Sequence, residues 1–231
     1  MRGFDGLARF VRFCEKKFYA RFRWLLRKKQ AKGYGVHSPF AFDLLANVIY
    51  SPYSFYAFSD IPKLLLQNGL DPYLIGRFNH LSFRLIHHLR PTNIVEINSG
   101  IGINSLFLTA PSSDIRCRCV EQDEEKVSVA KHLQREIGRK CGVVSSLSAC
   151  DGERYDAIFL NLDGKQIPDM HTLTEWSHDA TFWVLHPIKK GVAKQFWNEI
   201  VHDVRVRVTF DLKDTGIVFL RPDLDKANYL V

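Results

Sequence analysis

Between residues 4 and 30 apolar side chains recur every three or four positions: Phe4, Leu7, Val11, Cys14, Phe18, Phe22 and Leu25. Arg9, Arg12, Lys16, Lys17, Arg23 and Arg27 take much of the remaining surface. That spacing predicts a single amphipathic helix, ended before the turn Gly33-Tyr34-Gly35. Ser38 before Pro39 suits an N-cap with proline at the first helical position, so a helix is expected from Pro39 to Tyr50. Residues 51–76 scatter Pro52, Pro62, Gly69, Pro72 and Gly76 among aromatics and read as an irregular connection with short helical pieces. From Arg77 onward the pattern becomes regular. Helices are expected at 78–89, 102–109, 123–137, 168–176 and 189–201. Strands are expected at 93–97, 115–120, 143–147, 155–162, 182–185, 205–212 and 216–220.

Strands that alternate with helices pair in parallel through right-handed crossovers. The last two strands are joined only by the turn at Asp214 and Thr215, so they must be antiparallel. The expected fold is α/β: a Rossmann-like, doubly wound, mostly parallel seven-stranded sheet with a terminal antiparallel hairpin, plus an N-terminal helical extension.

Charge sharpens this division. Residues 1–40 hold eleven Lys and Arg against Asp5 and Glu15, while the remainder of the chain sums to −2. The excess of positive charge belongs to the first helix, and only there does it bear on partners. The helix suits an anionic membrane surface, RNA, the core, or a second subunit as its neighbour. No nucleic-acid-binding motif accompanies the charge. No run of about 18 uncharged apolar residues exists to cross a membrane, and the N-terminus lacks the apolar core of a secretory signal. The five cysteines are odd in number and contain no C-x-x-C pair, which argues against a disulfide framework or a zinc site. Cys117 and Cys119 lie two apart in an expected strand and read as two small buried thiols on one face. A cytoplasmic location fits, peripheral to the inner face of a membrane if the basic helix binds there.

The chemistry concentrates in Asn93-Ile-Val-Glu96-Ile-Asn98-Ser-Gly100-Ile-Gly102-Ile-Asn104-Ser. It runs strand, glycine-containing turn, helix, at the place where α/β sheets bind ligands. Glycines there allow positive φ and close backbone approach. Glu96 offers an acid at the strand end. Glu121 ends the next strand, 25 residues later, where a carboxylate accepts hydrogen bonds from a ribose diol or caps the following helix.

On these residues, 77–221 resembles the class I S-adenosylmethionine-dependent methyltransferase family. The family pattern E-x-G-x-G-x-G meets Glu96, Gly100 and Gly102, with Asn98 at its first glycine. Asparagine tolerates the left-handed region better than most residues. The resemblance implies S-adenosylmethionine as cofactor, its amino-acid end held by Glu96 and the turn Asn98, Gly100 and Gly102, and its ribose by Glu121. It divides the chain into a basic helix and cap, 1–76, and a class I methyltransferase-like domain, 77–231. The whole chain also resembles a subgroup of small O-methyltransferase-like proteins, through Gly33-Tyr-Gly35-Val-His37-Ser38-Pro39-Phe40 and Gly216-Ile-Val-Phe-Leu-Arg221. His37 in that element reads as part of a lid over the cofactor or as a cap between two helices.

Metal-dependent catechol-type members place acids where this chain has Asn161 and His186-Pro187. Mg²⁺ wants charged oxygen ligands, so no metal is expected. Asp163 remains nearby, as a site residue or as half of an Asp-Gly turn. His186 is placed either as a general base for the methyl acceptor or as a loop histidine packed beside Pro187. His87 and His88 are adjacent on a helix and diverge by about 100°, a poor metal pair. The expected activity is methyl transfer to a small-molecule acceptor. The alternative is a catalytically degenerate S-adenosylmethionine-binding or interaction protein, with residues 4–30 contacting a membrane surface or a second copy.

Overall fold

A computed structural model describes residues 24, 25, 27–30, 33–138 and 141–231. Its centre is one sheet of β1 (Asn93–Ile97), β2 (Arg116–Val120), β3 (Cys141–Val144), β4 (Ala157–Asn161), β5 (Phe182–His186), β6 (Val208–Asp211), β7 (Gly216–Phe219) and β8 (Ala227–Leu230). The spatial order is β3-β2-β1-β4-β5-β7-β6-β8. β7 runs antiparallel to both β5 and β6, and the remaining pairs are parallel. The strand order reverses between β1 and β4, so a crevice opens at their carboxyl ends.

The central strands β1, β4, β5, β6 and β7 are buried on both faces, and side-chain alternation assigns each residue to one of them. Ile94, Cys117, Cys119, Ala157, Phe159, Phe182 and Val184 face one layer. That layer comes from α1 (Pro39–Leu44), the π-helical turn Leu45–Ile49 that continues it, and α3 (Arg77–Leu89). Val95, Ile97, Ile158, Leu160, Trp183 and Leu185 face α6 (Met170–Glu175) and α7 (Gly191–His202), which contribute Leu173, Trp197 and Ile200. A third apolar cluster joins α2 (Ala57–Gln67), α3, α4 (Ile103–Thr109) and α5 (Glu124–Glu136) through Ile61, Leu65, Phe83, Phe107 and Leu133. α4 is buried along its whole length. Local signals behave as their chemistry requires: Ser38 Oγ accepts from the Ala41 amide at 3.3 Å, and Asp123 caps α5 through the amides of Glu125 and Lys126.

Three elements differ from expectation. The sheet has eight strands rather than seven. β8 follows Pro222, Asp223 and Asp225 and is only four residues long, so no alternation could develop, yet it pairs with β6 and bonds across it, Thr209 Oγ1 to Asn228 Oδ1 at 2.7 Å. The region 51–76 contains an eleven-residue helix, α2, with Pro62 inside it. Pro62 has no N–H to give the preceding turn, but Ala57, Ile61 and Leu65 bury the same face against the third cluster and override that loss. β3 begins at Cys141 and ends at Val144, and residues 147–150 form a 3₁₀ turn.

Of the basic helix expected over 4–30, residues 24, 25 and 27–30 are described, and they are helical. Arg27 pairs with the Asp211 carboxylate at 2.6 Å and donates to a Val231 main-chain oxygen at 2.7 Å. Gln30 Oε1 accepts from the Leu230 amide at 2.7 Å. These contacts dock the end of the helix on β6 and β8. Residues 4–23, which carry the expected membrane or second-copy contact, lie outside the described residues. Among the described residues no helix is long and apolar enough to cross a membrane.

Phe83 is 1% exposed and packs against Phe55, Phe58 and His87 with ring centroids 4.9, 5.3 and 5.9 Å away. Truncation there opens a cavity that α2 and α3 share. Phe83→Ala should cost about 3–5 kcal/mol, read as a lower urea midpoint at unchanged slope.

Candidate functional site

The turn between β1 and α4 is built from left-handed backbone. Asn98, Gly100 and Gly102 have φ of 57°, 59° and 82°. The Ser99 amide donates to the Val120 carbonyl at 3.1 Å and the Gly102 amide to the Ser99 carbonyl at 3.1 Å, which lays the turn across the end of β2. A Cβ on Gly102 would stand 3.0 Å from Ala130 Cβ of α5. Glycine is required there both by φ and by that approach.

Glu121 sits at the end of β2 and grips the same turn. Its Oε2 accepts from the Gly100 amide at 2.8 Å, and Oε1 accepts from the amides of Gln122 and Asp123 at 3.0 and 3.1 Å. Three bonds do not exhaust a carboxylate, which offers about four acceptor positions.

Glu96 is placed differently from an anion open to a ligand. It is 5% exposed, accepts from Asn104 Nδ2 at 3.0 Å and is bonded by Ser105 Oγ. Burial pushes its pKa up to about 8, with the Cys119 thiol beside it adding to the rise. Its surroundings therefore favour the protonated acid. It anchors a chain of buried bonds: the Gly76 amide to Asn79 Oδ1 at 2.8 Å, Asn79 Nδ2 to Asn104 Oδ1 at 3.2 Å, then Asn104 to Glu96.

Asn98 reaches across to the segment after β4. Its Nδ2 donates to the carbonyls of Asn161 and Gln166 at 2.8 and 2.6 Å, and its Oδ1 accepts from the Gln166 amide at 3.2 Å. Gly164 makes room for it, since a Cβ there would lie 2.0 Å from Asn98 Cγ. The side chain thus clamps the loop that carries Asn161 and Asp163. Asp163 is exposed and its amide donates to Asn161 Oδ1 at 3.1 Å. Asn161 is the register partner of His186.

His186 is half-buried and stacked on Phe78, ring centroids 4.5 Å apart at 14°. Its Nδ1 lies 3.0 Å from Thr215 Oγ1. Burial holds its pKa below the ordinary histidine value; Asp163 pushes it back up and Lys189 pushes it further down. Burial therefore favours the neutral ring over the imidazolium. In the tautomer where Nδ1–H donates to Thr215, Nε2 carries a free lone pair.

These residues enclose a cavity of about 310 Å³, whose walls include Phe78, Glu96, Asn98, Asn104, Asn161 and His186. That volume is at the lower end of small-molecule sites. A second cavity of about 750 Å³ lies on the other side of Phe78 and His186 and is edged by Arg77, Arg84, Lys213 and Thr215. Asn98, Gly100, Gly102, Glu121, Glu96, Asn161 and His186 are thus gathered at one sheet edge, with Asp163 on the adjoining loop. Phe78, Asn79, Asn104 and Thr215 were not anticipated. Asn104 and Ser105 carry a readable sign, two polar residues in an otherwise apolar helix directly after the turn. Phe78 and Thr215 carry none, because only packing brings α3 and the β6–β7 turn to β5.

Other candidates fall elsewhere. His37 is exposed. Phe40 of the same element packs edge-on against Phe219 at 4.8 Å, beneath the Arg221 guanidinium at 5.2 Å. Phe219 pairs with Phe182 at the start of β5, so this element lies at the end of the sheet opposite the glycine turn. It is no lid over that turn. His88 bonds Asp43 Oδ2 at 2.7 Å, and His87 packs on Phe55 and Phe83.

Solved structures with the same architecture are all methyltransferases in three instructive cases. One from Geobacter sulfurreducens superposes with TM-score 0.57 and 14% identity over 74% of this chain and 90% of that one. TomG from Streptomyces achromogenes, an O-methyltransferase solved in complex with S-adenosylmethionine, gives 0.55 and 14% over 76% and 95%. An O-methyltransferase from Bacillus cereus in complex with S-adenosylhomocysteine gives 0.54 and 14% over 74% and 92%. The chain has the Rossmann-like methyltransferase fold. No family model and no curated protein matches its sequence. The methyltransferase fold explains the position of the cavity, at the carboxyl ends of β1 and β4, and the antiparallel β7 beyond it.

The Asn98–Gly164 contact is testable as a pair. Gly164→Ala must displace the Asn98 side chain and should cost about 2 kcal/mol or more. Asn98→Gly keeps the left-handed backbone and vacates that space. Urea unfolding of both single variants and the double variant should give a coupling above about 1 kcal/mol, with the alanine better tolerated in the Asn98→Gly background.

Proposed function

We propose that this chain is an S-adenosylmethionine-dependent methyltransferase acting on a small-molecule acceptor, without a catalytic metal. The observation that carries the reading is the left-handed turn at residues 98–102, gripped by Glu121 at the end of β2 and opening on a cavity at the switch point of a methyltransferase fold. The cofactors in TomG and the Bacillus cereus enzyme support the same cofactor class here. Asn161 and His186 stand where metal-dependent relatives need anionic oxygens, and a neutral amide and imidazole are poor Mg²⁺ donors.

The donor set fits the cofactor. Glu121 has an acceptor position left for a ribose hydroxyl. Asn98, Ser99 and Ile101 of the turn line the cavity that takes the methionine end, Gly100 and Gly102 give the turn its left-handed path, and Glu96 is tied to the same wall through Asn104. When bound, the cofactor supplies an electrophilic methyl group on a sulfonium. His186 Nε2 takes the proton that the acceptor hydroxyl or amine loses, while Thr215 holds Nδ1–H. The carboxylate of Asp163 favours the imidazolium so formed. The larger cavity beyond Phe78 receives the acceptor. Of the basic segment 4–30, the part before Arg27 we assign to contact with a second copy or an anionic membrane surface.

Calorimetry with S-adenosylmethionine and S-adenosylhomocysteine should show binding, and Glu121→Ala should weaken it at least tenfold, as expected for a lost bond to a charged acceptor. Unchanged affinity in that variant removes the ribose assignment; no binding by the wild type at millimolar ligand removes the function.

Turnover separates an enzyme from a binding protein. Across a panel of phenols, alcohols and amines, S-adenosylhomocysteine formation should fall about 10²-fold in His186→Gln. The base is active when neutral, so the wild-type rate rises with pH through a pKa below 6.5 and is level above it. That acid limb should vanish in His186→Gln.

A further inference from the structure

The three thiols on the inner face of β2 and β3 serve no part of the chemistry above. Cys117 and Cys119 stand two apart in β2 and so point to one face. Cys141 of β3 is the register partner of Cys117, which brings a third sulfur beside the first two. Cys117 Sγ and Cys119 Sγ are 3.8 Å apart, and Cys119 Sγ and Cys141 Sγ 3.1 Å. All three sulfurs lie within 4.8 Å of one another, and none is in a disulfide.

We propose that Cys117, Cys119 and Cys141 form a three-thiolate site for one thiophilic d¹⁰ cation, Zn²⁺ or Cu⁺. With metal–sulfur bonds of about 2.3 Å, sulfurs around such an ion sit about 3.8–4.0 Å apart. The Cys117–Cys119 pair already has that separation, and the closer pair needs to open by less than about 1 Å. Thiolate donors select these soft ions over Mg²⁺ and Ca²⁺. Cys117 and Cys141 line a cavity of about 650 Å³, which gives the ion a way in and leaves a fourth position for solvent. Arg116, Arg118 and Arg154 edge that cavity against the single acid Glu153. Each ligating thiol releases its proton to solvent. Cys119 Sγ is also 3.0 Å from Ser105 Oγ, the hydroxyl bonded to Glu96, so the site adjoins the strand that carries the turn.

The test uses the full chain, reduced and stripped with chelator. Titration with Cd²⁺ should saturate at one equivalent with an ultraviolet thiolate-to-cadmium charge-transfer band, and Zn²⁺ should compete for it. Cys141→Ala, a small truncation at a half-buried position on the rim of the core, should keep its circular dichroism and weaken binding at least 100-fold. Cys150→Ala should bind as the wild type does. In the wild-type chain, Zn²⁺ should protect Cys117, Cys119 and Cys141 from alkylation and leave the labelling of Cys14 and Cys150 unchanged. No band at excess Cd²⁺, a band of full strength in Cys141→Ala, or alkylation indifferent to Zn²⁺ would each overturn the site. None of these readouts depends on methyl transfer or on S-adenosylmethionine.

Discussion

The whole carboxyl edge of the sheet depends on left-handed backbone at three alternate positions, Asn98, Gly100 and Gly102. For the two glycines this costs little. For Asn98 the left-handed region costs about 1–2 kcal/mol, and the three bonds its amide makes to Asn161 and Gln166 return about 1 kcal/mol each. The asparagine that departs from the glycine-rich pattern is therefore a clamp as well as a turn residue. It fixes where the β4 loop lies, and so where Asn161 and Asp163 stand relative to His186. Gly164 is the complementary concession: the loop gives up a side chain so that Asn98 can pass.

Behind the turn the same economy holds for charge. Glu96 looks from its position like an anion facing a ligand, but its surroundings are Asn104, Ser105 and a thiol, with no cation among its bonded partners. Desolvation outweighs two hydrogen bonds and favours the protonated form. A neutral acid there ties β1 to α4, and through Asn79 to the loop before α3. Glu121, at the surface end of β2, is bonded instead to three main-chain amides. Two carboxylates in equivalent places on neighbouring strands thus differ in surroundings, one buried among side chains and one bonded to main-chain amides.

What the chain's pattern revealed, and what it hid, follows from range. The run from Asn93 to Glu121 was legible because its period changes from strand to helix across glycines, all within one local unit. The antiparallel β6–β7 pair was legible because a four-residue turn permits nothing else. α2 was hidden by Pro62, whose local cost is overridden by burial against α3 and α4, a tertiary term absent from a single window. β8 was hidden by brevity. The thiol cluster shows the limit most clearly: C-x-C in one strand predicts two sulfurs on one face, but the third comes from Cys141 opposite Cys117, which is a statement about register. The same holds for His186, whose neighbours Phe78 and Thr215 come from separate parts of the chain.

The distribution of these features assigns work to the two ends of the sheet. At the end where β5 begins, Phe40, Phe219 and Arg221 lock the start of α1 to the end of β7, so the Gly33–Phe40 element and the Gly216–Arg221 segment are two halves of one contact. That contact holds α1 and its π-helical continuation against the sheet face. At the opposite end, α3 delivers Phe78 to His186 and places Arg77 and Arg84 around the larger cavity. The helical region before β1 is therefore joined rigidly at one end and used as a wall at the other. His186 and Phe78 line both cavities. Stacking of the imidazole on Phe78 fixes its plane, and the contact with Thr215 Oγ1 restrains its rotation about that stack.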